Sequence, residues 1–192
     1  KSFDLARDTM YLHAIMDKFD KFYRNNETGA EIQLKGIDDE EKAKGIESYK
    51  YVYLDELNHF SFYEYNQFQM SLRGIPGQKI FGSWNPVDEN SWIKEKLIDT
   101  QVWKDTEYKL PSESSFVRIS EDGKTILIKT TYPDNYWING SPCGTYGYKD
   151  VNLIDYYNKL KEIDENQYNV NVLGEWGTNK AGKIFTKWEL YD

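Results

Sequence analysis

The first third of the chain alternates between a long helical pattern and shorter, more polar segments. Hydrophobic residues recur at helical spacing across residues 3–24, which predicts an amphipathic helix. Residues 25–29 have the composition of a turn, and residues 30–34 predict a short strand. Four acidic residues then begin a predicted short helix at residues 36–45, because negative charge is favourable at a helix N-terminus, and Gly45 ends it.

The middle of the chain has the pattern of a βαβ unit. The unbroken apolar run YVYL within residues 49–56 predicts a strand that is buried on both faces. Residues 61–72 place hydrophobic side chains on one helical face, and residues 79–84 predict a second strand. A strand, a crossover helix and a strand in this order are expected to form a parallel pair.

The second half begins with a hairpin pattern. Two β-rich runs, at residues 115–120 and 124–131, flank Asp122 and Gly123, a dipeptide that favours tight hairpin turns. Three further elements are predicted: a Gly-, Pro- and Ser-rich loop at residues 139–147, an amphipathic helix at residues 153–163 and a short strand at residues 167–173. The pattern of the whole chain therefore predicts an α/β protein.

Composition narrows the class of protein. With 192 residues the chain corresponds to one domain, or to one domain with an appendage. Its single cysteine, Cys143, excludes an internal disulfide, and no apolar run reaches the roughly 20 residues of a membrane-spanning helix. The net charge of −8 argues against a free-standing nucleic-acid binder, although not against a subunit that touches DNA through a few residues. Because the chain begins with Lys1 rather than Met, we expect it to start inside a longer protein.

Two carboxylates follow the first strand of the predicted βαβ unit. Ligands bind outside the carboxyl ends of strands in open parallel sheets, which is where Asp55 and Glu56 would lie. Asp55 could hold Mg²⁺ there, and Glu56 could orient or deprotonate an attacking water, as in the Walker B pattern of ATPases. The alternative is a solvated strand end that caps the next helix.

Polar residues also follow the second strand, in the sequence Ser83-Trp84-Asn85-Pro86. If the two strands are neighbours, the Ser83 hydroxyl and the Asn85 amide lie beside Asp55 and Glu56. They could then contact a γ-phosphate or an attacking water. The alternative is an Asn-Pro turn that only ends the strand.

Several sequence blocks, taken in order, resemble the large terminase subunit of tailed bacteriophages and prophages. The blocks are GIDDEEKAKG at 36–45, YVYLDE at 51–56, LRG at 72–74, SWNP at 83–86, WI at 92–93, TTYPDN at 130–135, VLGEWG at 172–177 and GKIF at 182–185. This resemblance implies a region of the ATP-hydrolysing motor that packages viral DNA into procapsids.

The resemblance implies a fold and a domain division. Residues 1–135 would be a partial P-loop, RecA-like ATPase core with a parallel sheet. Residues 136–192 would be a hairpin and helix linker subdomain that leads to a nuclease domain beyond Asp192. By position, Asp55 matches the family's Mg²⁺-binding acid and Glu56 its catalytic glutamate. Ser83 and Asn85 fall in the family's motif that couples ATP hydrolysis to movement. The resemblance implies that these two residues contact the nucleotide.

The resemblance also implies ligands and partners. Mg²⁺ and ATP would be the cofactors of the parent protein. Double-stranded DNA, the portal protein, the small terminase subunit and further copies in a motor ring would be its partners, in the cytoplasm of the bacterial host and without a membrane. The chain has no GxxxxGK[ST] sequence, so we expect it to bind ATP weakly or not at all and to be inactive alone.

Two other functions remain open at this stage. One is an inactive structural fragment of the same family. The other is an acidic carbohydrate-binding module, which the aromatic content of 16% would suit. That module would have an antiparallel all-β fold, which the predicted helices oppose.

Overall fold

The computed structural model describes residues 2–20, 22–35, 46–140 and 149–178. The chain divides into two compact units, Lys1–Ile46 and Glu47–Asp192. The predicted helix at residues 36–45, Cys143 with most of its loop, and the GKIF block at 182–185 lie outside the described residues.

The first unit is a short helix followed by a three-stranded antiparallel sheet. Its elements are α1 (Ser2–Thr9), a 3₁₀ turn (Leu12–Ala14), β1 (Met16–Lys18), β2 (Phe22–Asn25) and β3 (Glu31–Gln33), with the strands in the order β1-β2-β3. The predicted turn at residues 25–29 and the strand at residues 30–34 are confirmed.

The predicted helix over residues 3–24 is wrong beyond its first two turns. Tyr11 has the left-handed backbone conformation, with φ at 56°, and this interrupts the helix. The following residues pair instead with β2, where Phe19 and Phe22 stack and Tyr23 is buried. Tertiary strand pairing therefore overrides the helical spacing of the hydrophobic residues.

The second unit combines a small parallel sheet, an antiparallel sheet and helices. Its strands are β4 (Tyr51–Leu54), β5 (Lys79–Gly82), β6 (Trp103–Asp105), β7 (Phe116–Ser120) and β8 (Ile126–Lys129). Its helices are α2 (Phe62–Ser71), α3 (Tyr136–Asn139), α4 (Val151–Ile163) and α5 (Glu165–Asn171), with 3₁₀ turns at Leu57–His59 and Tyr132–Asp134 and a π-helix at Ile93–Ile98. No helix in these described ranges is long and apolar enough to span a bilayer.

The predicted βαβ unit is confirmed. β4 and β5 are parallel, in a register that pairs Tyr51 with Lys79 and Leu54 with Gly82. The crossover helix α2 begins with a capping box, because the Ser61 hydroxyl accepts from the Glu64 N–H and the Glu64 carboxylate accepts from the Ser61 N–H.

The prediction that the first of these strands is buried on both faces is wrong. Leu54 is 4% exposed, but Tyr51 and Tyr53 on the opposite face are 57% and 63% exposed. A tyrosine run resembles an apolar run in sequence, although each ring carries a hydroxyl that can remain in water. The sheet therefore has one covered face and one open face.

The antiparallel sheet contains the predicted hairpin. β7 and β8 pair through a turn in which Gly123 has φ at 72°, a conformation that glycine adopts without steric cost. β6 adds to the other side of β7. The Asp-Gly signal is thus confirmed.

The last two helices form a small hydrophobic cluster. The predicted helix at residues 153–163 is confirmed as α4, but the predicted strand at residues 167–173 is wrong, because α5 occupies that segment. Tyr168 and Val172 lie one helical turn apart and pack with Leu160. Asp164 caps α5 by accepting from the Gln167 N–H, a local contact that favours the helix.

Candidate functional site

The candidate site lies where β4 and β5 end side by side. The carboxyl ends of parallel neighbours meet at one edge of the sheet, so Asp55 and Ser83 come into contact there. Backbone bonds extend the pairing past the strands: the Ser83 N–H donates to the Leu54 carbonyl at 3.1 Å, and the Leu57 N–H donates to the Ser83 carbonyl at 2.7 Å. This ladder fixes the position of both backbones at the site.

Three side chains form a hydrogen-bonded group, which we call the strand-end cluster: Tyr53, Asp55 and Ser83. The Ser83 hydroxyl donates to Asp55 Oδ1 at 2.9 Å, and the Tyr53 hydroxyl lies 2.8 Å from Ser83 Oγ. The Tyr53 hydroxyl is also 3.3 Å from Asp55 Oδ1. The structure therefore brings two of the predicted site residues, Asp55 and Ser83, into direct contact.

Glu56 directly follows Asp55 in the chain, but its carboxylate lies against His59 and not against the strand-end cluster. Its backbone is left-handed, with φ at 51° and ψ at 56°, which is rare for a residue with a side chain. Its carboxylate oxygen Oε2 lies 3.2 Å from His59 Nδ1, and its side chain is 65% exposed. The structure thus presents Glu56 to solvent at the strand end.

Asn85 lies along an open cleft of about 860 Å³ that begins at the strand end. Ser83 and Trp84 line the same cleft, as do residues of the block at 130–135 and Trp176. The two polar residues predicted after the second strand, Ser83 and Asn85, therefore line the same cleft.

The block TTYPDN, to which the sequence assigns no role, is organised by Asp134. Its carboxylate accepts from the backbone N–H groups of Ser112 and Thr131, each at 2.8 Å, and from the Ser115 and Thr131 hydroxyls. Burial alone would raise the pKa of Asp134, but the hydrogen bond from Ser115 and those from Thr131 and Ser112 outweigh it and lower the pKa below its ordinary value. The hydrogen bonds of Asp134 thus join the loop at residues 112–115 to the block at residues 130–135.

The block VLGEWG is fastened to the loop after β5. The Gly177 N–H donates to the Pro86 carbonyl at 2.7 Å, and the Glu89 N–H donates to the Gly177 carbonyl at 2.9 Å. A Cβ at position 177 would lie 2.4 Å from the Val87 carbonyl oxygen, so only glycine fits this approach. A loop near the C-terminal end of the described chain therefore contacts the segment that carries Asn85.

The strand-end cluster offers oxygen donors, which are the ligands that Mg²⁺ prefers. Among the described residues there is no group of three or more His, Cys, Asp or Glu side chains that could form a complete metal cage. Mg²⁺, however, is usually held by one or two carboxylates together with substrate phosphates and water. The oxygen donors of Asp55 and Ser83 fit that shared mode of binding.

The fold and the site together define an α/β protein with a carboxylate and hydroxyl cluster at the carboxyl edge of two parallel strands. In such sheets this edge is the usual ligand-binding position. The chain belongs to the phage terminase large subunit family, whose model matches residues 16–175. The comparison with curated proteins returned no match.

Family membership confirms the resemblance stated from the sequence blocks and associates the chain with phage DNA packaging. The matched span includes the strand-end cluster, Glu56 and Asn85. The individual roles of these residues stay predictions.

Sequence reasoning missed Tyr53. Side chains alternate along extended backbone, so Tyr53 in β4 and Asp55 directly after the strand are expected on the same side of the chain. That spacing, together with the hydroxyl of a tyrosine, could have indicated a contact with Asp55.

Proposed function

We propose that this chain is part of the ATPase region of the terminase large subunit, in the motor that drives viral DNA into procapsids. The observation that carries the proposal is the hydrogen bond from the Ser83 hydroxyl to the Asp55 carboxylate. It joins the ends of neighbouring parallel strands within a chain of the terminase family.

Each polar residue at this edge has a distinct role in the proposal. Asp55 would hold Mg²⁺, and when bound the ion supplies positive charge that offsets the charge of the phosphates. Glu56 orients the attacking water and accepts its proton, and its exposed carboxylate is open to that water. The Ser83 hydroxyl already donates to Asp55, so the Asn85 amide is the group left to contact the γ-phosphate or the water.

The open face of the parallel sheet supports the proposal of a partial core. Parallel sheets are ordinarily covered on both faces, yet Tyr51 and Tyr53 are exposed here. The sequence also has no GxxxxGK[ST] loop to bind phosphate. We infer that the remainder of the RecA-like core, with that loop, belongs to the same subunit outside this sequence.

The remaining parts of the proposal follow from the family. The motor would act on double-stranded DNA in the host cytoplasm, with the portal protein, the small terminase subunit and other copies in a ring. The linker that starts at residue 136 would lead to an RNase H-like nuclease domain beyond Asp192. Neither alternative function is favoured by a specific observation. In particular, the α/β fold differs from the antiparallel all-β fold of a carbohydrate-binding module.

Three substitutions in the complete large subunit test the proposal. Glu56→Gln should lower ATP turnover by about 10²–10⁴-fold while nucleotide binding persists, because the amide keeps the shape but is no base. Asp55→Ala should weaken Mg²⁺-dependent nucleotide binding. Asn85→Ala should impair packaging more than its loss of ATPase activity explains.

Parallel ATPase, nucleotide-binding and packaging assays separate the three roles. Near wild-type turnover in Glu56→Gln would mean that Asp55 and Glu56 form a strand end rather than an active site. The mechanistic proposal would then fail, although the family membership would stand.

A further inference from the structure

Tyr53, in β4, contacts the candidate metal ligand Asp55 that follows the strand. Its hydroxyl lies 2.8 Å from Ser83 Oγ and 3.3 Å from Asp55 Oδ1, while its ring is 63% exposed. Because the ring is largely exposed, packing does little to fix it. The hydroxyl is instead held by its hydrogen-bond contacts with Ser83 and Asp55.

Counting protons gives the direction of these hydrogen bonds. Each hydroxyl has one proton to donate, and an ionised carboxylate only accepts. With Ser83 donating to Asp55 Oδ1, the shorter contact of Tyr53 is satisfied when Tyr53 donates to Ser83 Oγ. The result is a chain of two donors, from Tyr53 to Ser83 to Asp55, that ends on one carboxylate oxygen.

This chain of donors occupies Oδ1 of Asp55. Among the described residues no donor is seen within hydrogen-bonding distance of the other oxygen, Oδ2. Hydrogen bonds to a ligating carboxylate orient it, and removing such partners typically lowers metal affinity by about 10–100-fold. The geometry therefore restricts the rotation of the Asp55 carboxylate and leaves Oδ2 available to a cation.

We propose that Tyr53 is a positioning residue that, through Ser83, orients the Asp55 carboxylate for Mg²⁺. This inference rests on the proposed function, in which Asp55 holds the ion of the nucleotide complex. It adds a residue outside the carboxylate pair and the polar loop, and it makes Ser83 the link between that residue and Asp55.

The test uses Tyr53→Phe in the complete large subunit, because this change removes one hydroxyl and keeps the ring. The Mg²⁺ concentration at half-maximal ATP turnover should rise about 10-fold, within the range found for such partners. Turnover should recover once Mg²⁺ is saturating. Loss of packing alone would not produce this separation between metal affinity and maximal rate.

A matched control is available on the same strand and the same face. Tyr51→Phe also removes a hydroxyl from an exposed ring, and Tyr51 is 57% exposed, but it lies outside the strand-end cluster. This variant should keep the wild-type dependence on Mg²⁺. Electron paramagnetic resonance of bound Mn²⁺, with a non-hydrolysable ATP analogue, gives a second readout that does not depend on turnover.

A double variant tests whether Tyr53 acts through Ser83. Ser83→Ala should weaken Mn²⁺ binding at least as much as Tyr53→Phe, and the double variant should bind no more weakly than Ser83→Ala, because the two hydroxyls share one path. Equal Mn²⁺ affinity in Tyr53→Phe and Tyr51→Phe would overturn the inference. Additive losses would overturn the path through Ser83.

Asp55→Ala separates this inference from the proposed function. If Asp55→Ala loses Mn²⁺ binding while Tyr53→Phe binds as tightly as wild type, the positioning role fails and the ATPase proposal stands. If Asp55→Ala retains wild-type Mn²⁺ binding, both fail.

Discussion

At the scale of single residues, Glu56 combines an unfavourable backbone with a polar side chain at the edge of a sheet. A left-handed backbone costs a residue with a Cβ about 1–2 kcal/mol relative to the right-handed region. Such strain is found most often at functional sites, where the surrounding structure maintains it. The left-handed φ of Glu56 thus agrees with its proposed role.

The strain at Glu56 can be measured by comparing glycine with alanine. At ordinary positions in helices and strands, glycine is less stable than alanine by about 0.5–1 kcal/mol. At position 56 we expect the reverse, with Glu56→Gly more stable than Glu56→Ala by about 1 kcal/mol, because only alanine keeps the Cβ clash. Urea unfolding of the two variants measures the difference. A more stable alanine variant would show that no strain is stored there.

The ionisation of one side chain, Asp134, contributes to the stability of the folded chain at the cleft. Its pKa is lowered in the folded chain because the hydrogen bonds from Ser115, Thr131 and Ser112 outweigh burial. The carboxylate therefore stabilises the fold fully above its unfolded pKa, and this contribution disappears as pH falls through the lower folded pKa.

We expect Asp134→Asn to lower the free energy of unfolding at pH 7 by about 1–3 kcal/mol, since several donors lose a charged acceptor. The difference between the variant and the native chain should shrink as pH falls below about 5, where the unfolded carboxyl begins to take up protons, and it should be lost once pH has passed through the lower folded pKa. Urea unfolding at a series of pH values measures it. A difference that stays constant with pH would contradict the assignment.

At the scale of elements, α2 matters because it connects the two strands that carry the site. Its first turn is closed by the reciprocal bonds between Ser61 and Glu64. Its inner face contributes Phe68, which meets Phe60 edge to face with ring centroids 5.9 Å apart. The cap fixes where the helix begins, and the packing fixes its position against the chain that follows β4.

Ser61→Ala should therefore lower the free energy of unfolding by about 1 kcal/mol, the usual effect of losing an N-terminal cap. Ser61→Thr keeps a hydroxyl at the same position and serves as the control, with a smaller change expected. Chemical denaturation of both variants measures the effect. Equal stability of Ser61→Ala and the native chain would mean that water replaces the cap without cost.

At the scale of the whole molecule, the strand-end cluster would supply only one part of the proposed nucleotide site. Phosphates are normally bound by the backbone N–H groups and the lysine of a Gly-rich loop, which this sequence does not contain. A single carboxylate with two hydroxyls offers no comparable anion site. The net charge of −8 further disfavours a polyanionic ligand.

We expect the 192-residue chain by itself to bind Mg-ATP weakly or not at all. Isothermal titration calorimetry measures this directly, with the complete large subunit as the positive control. A micromolar dissociation constant for the chain alone would contradict the expectation, and it would show that phosphate is bound without the Gly-rich loop.

The amino-acid sequence alone was sufficient for features that depend on neighbours along the chain. The Asp122-Gly123 hairpin, the capped α2 and the parallel pair around it follow from turn chemistry, helical spacing and the length of the crossover. The contact of Asp55 with Ser83 followed too, because parallel neighbours bring their carboxyl ends to one edge. The family likewise could be recognised from short blocks in order.

Other features depended on contacts between distant residues, which spacing does not encode. Residues 16–25 have helical spacing but form strands because they pair with one another and with β3. Tyr168, Val170 and Val172 alternate like a strand, yet they form a helix because Tyr168 and Val172 pack on Leu160 and Asp164 caps the first turn. Only the tertiary structure revealed the open face of β4, the place of Tyr53 in the cluster and the left-handed backbone of Glu56. Each results from a balance between local preference and packing that is settled only when the distant partner is in place.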